Sequence, residues 1–186
     1  MSRIPYINRK TAPQETTELF TKMEANGASV LNLWQMAAHS PSTLPHLVRL
    51  GNAVLAKTSL DPKLRELAIL RQAEIAGCKY EITAHSMLGK SVGMTDSQIA
   101  AIKDWRTATV FSRTERAVLR FTDEIIKKGK AGARTVSTLE KLMSHQEMME
   151  LTVAIGFYQL LAHVLMTFEV DAETTAFKSA SQIMGR

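Results

Sequence analysis

Cys78, Glu81 and His85 are the densest group of chemically capable side chains in the chain. They lie in the run Gly77-Cys78-Lys79-Tyr80-Glu81-Ile82-Thr83-Ala84-His85. On a helix, residues three, four and seven apart share a face. The spacing therefore predicts one stripe carrying a thiol, a carboxyl and an imidazole, with the thiol directly after a glycine. A thiol at a helix N-terminus beside an imidazole has a lowered pKa and becomes nucleophilic. An imidazole titrates near neutrality and can accept or relay a proton. A carboxyl whose pKa is raised by burial can serve as general acid or base. This spacing fits an enzyme site and leaves the reaction open. A lone cysteine in a helical protein is more often a small buried hydrophobe.

Glu66 adds a fourth candidate. It shares a helix face with Ile69, Leu70 and Ala73, and a charge on an apolar face must be paired or protonated. An ion pair with Arg65, Lys63 or a partner subunit would also satisfy it. Tyr80 points away from the stripe and suits a core or interface position with a tethered hydroxyl. Gln159 and His163, four apart, form a polar spot on an otherwise apolar helix. They are a hydrogen-bonded core pair or part of the lining of the same pocket. His39, His46 and His145 have no second ligand at metal spacing, so no metal is expected.

Helices must position these groups, and the pattern is helical almost throughout. Helices are expected over 11–25, 29–39, from Pro41 to 56, and over 62–76, where Asp61-Pro62 supplies an N-cap and a proline at the first helical position. Gly77 ends or bends that helix, and the Cys78 helix follows to 91. Thr95-Asp96-Ser97-Gln98, Ser112-Arg113-Thr114-Glu115 and Ser144-His145-Gln146-Glu147 read as capping boxes. They start a short helix, a helix to 128 and a long apolar helix. A further short helix is expected over 136–143 and a last one from Asp171. Many helices with short connections argue for one compact all-α domain over 1–186.

Composition narrows the class. The chain has 186 residues, 45% hydrophobic and 22% charged, with one cysteine and a net charge of +5. One cysteine excludes an internal disulfide framework and a multi-cysteine metal site; it fits a reducing compartment, and the cytoplasm is expected. The start lacks a signal-peptide pattern. The densest basic run, Lys127, Lys128 and Lys130, reads as a helix end favoured by the helix dipole, so no nucleic-acid partner is expected. Residues 151–168 carry no Asp, Glu, Lys or Arg. Gln159 and His163 interrupt them, and a buried core or interface helix is expected there, with no membrane partner.

The stretch Leu64-Arg65-Glu66-Leu67-Ala68-Ile69-Leu70-Arg71, then Ala73-Glu74, Gly77-Cys78-Lys79-Tyr80-Glu81 and His85, resembles the carboxymuconolactone decarboxylase family, which includes the alkylhydroperoxidase D-like proteins. Gly93-Met94-Thr95-Asp96 with Ile99 continues the resemblance, which is best over about 60–102. The pieces Leu31-Asn32-Leu33-Trp34, Ala38-His39-Ser40-Pro41, Glu150-Leu151 and Ile155-Gly156-Phe157-Tyr158 resemble longer members. The resemblance implies an all-helical fold assembled as a homo-oligomer, a trimer or hexamer. It places the alkylhydroperoxidase D-like Glu at Glu66, the first Cys of Cys-x-x-Cys at Cys78, the intervening aromatic at Tyr80 and the His at His85. The second Cys falls on Glu81, so an internal disulfide cycle cannot run.

Glu81 at that position resembles other branches of the family, including the decarboxylases, whose chemistry needs a proton donor at carbon and groups that hold carboxylates. The first expectation is a cofactor-free enzyme doing acid–base chemistry on a small organic acid or lactone. In it Glu81 and His85 transfer protons, Glu66 orients His85, Cys78 is a neighbour, and Arg71, Tyr80 and His163 are candidates for substrate contact. Arg71 has the alternative of an ordinary surface arginine. A second expectation is an antioxidant thiol peroxidase in which Cys78 attacks and an outside thiol resolves the sulfenic acid. A third is a non-enzymatic helical oligomer.

Overall fold

The computed structural model describes residues 1–173, and among them nine helices and no strand are found. The helices are α1 Gln14–Ala25, α2 Asn32–Ala37, α3 Leu44–Ala56, α4 Pro62–Ala76, α5 Lys79–Ser91, α6 Asp96–Ala101, α7 Arg113–Lys128, α8 Ala133–Leu139 and α9 His145–Thr167. The all-α class is as expected. The chain divides into two compact units, Thr58–Ala162 and Met1–Lys57 with His163–Arg186.

Most helix ends sit where local chemistry puts them. The Asp61 side chain accepts from the Leu64 N–H and Pro62 opens α4. Thr95 and Ser112 make complete capping boxes with Gln98 and Glu115, and Ser144 does so with Glu147. Each such cap contributes about 1 kcal/mol. Four helices start away from expectation: α1 at Gln14 and α3 at Leu44, each later than expected, and α2 and α8. The extended backbone of Leu31 delays α2 to Asn32. α8 begins three residues early because Glu124 accepts from the Gly132 N–H at 2.8 Å and from the Thr135 hydroxyl at 3.0 Å, fixing its first turn. Residues 171–173 are not helical, and the rest of the helix expected there lies outside the described residues.

In the unit 58–162, α4 packs on both α5 and α7. Nine consecutive α4 residues, from Arg65 to Ala73, are buried. One apolar cluster joins Leu60, Ala68, Val118, Phe121, Leu139, Leu151 and Ile155. A second joins Leu67, Leu70, Met94, Ile102, Trp105, Phe111 and Leu119. Each large side chain so buried contributes roughly 1.5–3 kcal/mol. Trp105 is thus a core residue.

The unit of α1 to α3 builds its own core from Phe20, Met23, Leu33, Trp34, Met36, Leu44 and Val48. Its N-terminal segment is tied to 167–173 by the Arg3–Glu169 pair at 2.7 Å and by Tyr6, which donates to Asp171.

α9 is long and apolar enough to cross a membrane by length and composition, and 44% of its apolar window is buried. It buries Leu151, Ala154, Ile155, Phe157, Tyr158, Leu161 and Leu165, and leaves Met149, Val153, Leu160 and Met166 exposed. The helix buried all round is α4 instead.

Candidate active site

Gly77 makes the joint that places the site. It closes α4 in the left-handed region at φ 75°, ψ 23°, where an L side chain is strained. The Gly77 and Cys78 N–H groups both donate to the Ala73 carbonyl, which turns the chain sharply into α5. Cys78 becomes the N-cap of α5, and Glu81 lies in its first turn. The expected stripe therefore forms. Cys78, Glu81 and His85 are all buried, at 1%, 2% and 6% exposure.

Glu66 on α4 meets this stripe. Its Oε2 lies 2.7 Å from His85 Nδ1, and its Oε1 accepts from Arg65 Nε at 3.1 Å. Both readings of Glu66 therefore coexist: the arginine neighbour neutralises the carboxylate, and the carboxylate orients the imidazole. With Nδ1–H donating to Glu66, Nε2 is the ring nitrogen left for proton transfer. The edge of one ring meets the face of the other where Tyr158 packs on His85, with centroids 4.6 Å apart. Burial pushes the Tyr158 hydroxyl well above its ordinary pKa, reinforced by the charges of Glu66 and Glu81, so it stays protonated.

Glu81 differs from every other buried carboxylate of the site. Both of its oxygens are buried without a hydrogen-bond partner. Burial pushes its pKa up to about 8, so at neutral pH it is chiefly a carboxylic acid. The Cys78 thiol is pushed up to about 11, first by burial and then by the Glu81 charge; the N–H groups of Glu81 and Tyr80 at the helix start oppose this without overcoming it. A resting thiol, not a thiolate, stands at the head of α5.

The remaining candidates lie elsewhere. Arg71 is buried, not a surface arginine, and its guanidinium is committed: Nε donates to Asp123 at 2.6 Å, and another nitrogen donates to the carbonyls of Ile102 and Lys103. It braces α4 on α7 and on the loop after α6. Tyr80 is half-buried. His163 is exposed and falls in the other unit, whereas Gln159 accepts from Gln72 Nε2 at 3.1 Å. Tyr158 and Gln72 were not among the candidates. Gln72 is fully buried with its Oε1 unpartnered; it stands among the charged residues of α4, so no local pattern singles it out. No group of three or more metal-ligating side chains is found among the described residues.

Residues 41–124 match the Carboxymuconolactone decarboxylase family. The Escherichia coli (strain K12) protein YnjA, described as uncharacterized, is 28% identical over 126 residues, 63% of this chain and 65% of that one; the match thus spans just under two thirds of that relative. A solved structure from Agrobacterium tumefaciens, of unknown function and assigned provisionally to the antioxidant defence protein AhpD, is 26% identical with a TM-score of 0.69, covering 75% of this chain and 96% of that one. An uncharacterized peroxidase-related protein from Ralstonia eutropha JMP134, an alkylhydroperoxidase AhpD core, is 15% identical with a TM-score of 0.80 over 93% of each chain. These matches, with the all-helical fold, support the placement of residues 41–124 in the carboxymuconolactone decarboxylase and alkylhydroperoxidase D-like superfamily.

Proposed function

We propose that the chain is a cofactor-free acid–base enzyme acting on a small organic acid or lactone. Glu81 carries this reading: a buried carboxyl with two unpartnered oxygens and a pKa near 8 is a proton donor poised for neutral pH. In a decarboxylation the bond from carbon to the substrate carboxylate breaks and carbon dioxide leaves. The electron pair delocalises into the conjugated lactone carbonyl. Glu81 then gives its proton to that carbon and is reprotonated through His85. Glu66 fixes the imidazole for this relay. Burial excludes competing water and strengthens each electrostatic contact.

Release of carbon dioxide from a carboxylated muconolactone tests the reading. Glu81→Gln and His85→Ala should each lower kcat by about 10²–10⁴-fold, the usual worth of a general acid or base. Cys78→Ala should keep most of the activity. The reverse pattern excludes the reading. Turnover that depends on neither Glu81 nor His85 also excludes the reading, and no turnover with any such substrate favours a non-enzymatic helical oligomer.

The Cys78 helix start, with a 26% identical structure assigned provisionally to an antioxidant defence protein, favours a thiol peroxidase as the second reading. Its thiolate would attack the distal peroxide oxygen, giving a sulfenic acid and an alcohol. One outside thiol would then form a mixed disulfide and release water, and a second would reduce it. Sulfenic acid trapping at substoichiometric peroxide decides between the two, since a thiol held near 11 should react slowly.

We propose also that the chain acts as a homo-oligomer. The exposed Met149, Val153 and Leu160 run along one face of α9, an apolar strip that a second copy would cover. Sedimentation of Val153→Glu with Leu160→Glu against the natural sequence tests this.

A further inference from the structure

A concave groove of about 400 Å³ opens on the unit 58–162, away from the Glu66–His85 pair in its lining. Four arginines line it, Arg106 from the loop after α6 and Arg113, Arg116 and Arg120 from α7. The three on α7 are spaced by three and four residues, so they share one face. No Asp or Glu lines the groove. Like charges at this spacing repel one another, so the cluster is costly unless an anion answers it.

The arginines are held by groups that leave their charge largely uncompensated. Arg116 donates to the carbonyls of Trp105, Ala108 and Arg106 at 3.1, 2.9 and 2.8 Å. Arg106 and Arg116 both lie over the Trp105 ring, 4.6 and 5.4 Å from its centroid. Arg106 pairs with Asp123, but that one carboxylate also faces Arg71 and Lys127. Arg120 is 3.9 Å from Glu124, whose oxygens already accept from Gly132 and Thr135. Arg113 is exposed, and its side chain makes no hydrogen bond or ion pair among the described residues.

Guanidinium forks match the oxygens of phosphate bidentately. A groove of this size suits a small ligand. A nucleic acid is disfavoured because Trp105 is buried beneath two guanidinium groups and offers no face for a base. We infer that the Arg106–Arg113–Arg116–Arg120 groove binds a phosphate dianion, either inorganic phosphate or the phosphate of a small monoester. The inference is independent of the chemistry at Glu81.

Calorimetric titration with inorganic phosphate and with glycerol phosphate, at constant ionic strength set by sodium chloride, tests it. The groove should bind at least one of them with Kd below about 1 mM. Arg113→Gln with Arg120→Gln should weaken that binding at least about tenfold, as loss of charge-assisted hydrogen bonds requires. Both arginines are exposed, so the double variant should keep its melting temperature in chloride. Preference for glycerol phosphate assigns the site to a monoester, and equal or weaker binding assigns it to the free ion. A Kd above about 1 mM for both, or binding unchanged in the double variant, overturns the inference.

Discussion

Asp123 and Glu81 are carboxylates of the same unit, each 2% exposed, with opposite surroundings. Asp123 faces Arg71, Arg106 and Lys127. Burial pushes its carboxyl up, but hydrogen bonds and charge from Arg71 and Arg106 outweigh this and hold it below the usual range. Glu81 has no partner for either oxygen, and burial alone sets its pKa near 8. Equally low exposure thus accompanies one structural anion and one neutral acid, because Asp123 has cationic partners and Glu81 is both unpartnered and more deeply desolvated. A fully compensated carboxylate has no proton to give and no unsatisfied oxygen; an uncompensated one keeps both, at a cost in stability.

The largest effect should come from breaking the compensated side. Asp123→Asn leaves Arg71 buried without its counter-charge, which costs about 3–5 kcal/mol. Glu81→Gln replaces a chiefly neutral acid by a neutral isostere and should change stability at pH 7 by less than about 1 kcal/mol. Urea denaturation of the two variants measures the difference directly. Equal losses would break the comparison.

The two groups should also limit stability from opposite ends of the pH scale. The folded pKa of Glu81, about 8, lies above its ordinary 4.5. Its contribution is full below 4.5 and is lost as pH rises through 8, with a slope of up to about 1.4 kcal/mol per pH unit. Asp123 lies below its ordinary 3.8, so its contribution is present above that pH and is lost as pH falls through the lower folded value. Unfolding free energies from pH 4 to 9, in the natural chain and in Glu81→Gln, should show the falling limb only in the former. A falling limb of equal slope in both would remove Glu81 as its source.

How much of this was readable beforehand follows from range. Asp61-Pro62, Gly77 and the Thr95 and Ser112 boxes are local signals, and the helices they bound formed where expected. The Cys78–Glu81–His85 stripe is also local, being one helix face. The Glu66–His85 contact spans two helices and was reached through family resemblance and through the oddity of an acid on an apolar face. Nothing local reports that Arg71 will meet Asp123, 52 residues away, or that Glu124 will set the start of α8. Apolarity misled in one respect. α9 is the more apolar helix yet keeps an exposed face, whereas α4 is buried although it carries Arg65, Glu66, Arg71 and Gln72. Central position depends on neighbours on every side, and polar residues tolerate it when they pair with one another. The basic signal was likewise read in Lys127, Lys128 and Lys130, while the arginines that share a groove are spread over α7 and the loop before it.

Gly77→Ala should cost about 1–2 kcal/mol, because a Cβ at φ 75° is strained even though nothing stands within 4 Å of it. That joint aims Cys78 and Glu81 but not Asp123. The variant should therefore flatten the falling limb of Glu81 if α5 shifts toward water, and leave the acid limb of Asp123 in place.

The smallest effect separates burial from the number of partners. Arg71 is 7% exposed as a side chain, while Arg106 and Lys127 are 58% and 47% exposed. Water screens the outer two, and an exposed pair contributes about 0–1 kcal/mol. Lys127→Ala, whose nitrogen lies 3.5 Å from Asp123, should lower stability by less than about 0.5 kcal/mol, and Arg106→Ala by somewhat more because its ring contact with Trp105 is lost as well. Thermal denaturation at low and high salt reads both, and salt should diminish these losses while leaving that of Asp123→Asn largely intact. If Lys127→Ala instead costs as much as Asp123→Asn, the compensation is a matter of total charge, and Glu81 would need only a distant cation to become an ordinary carboxylate.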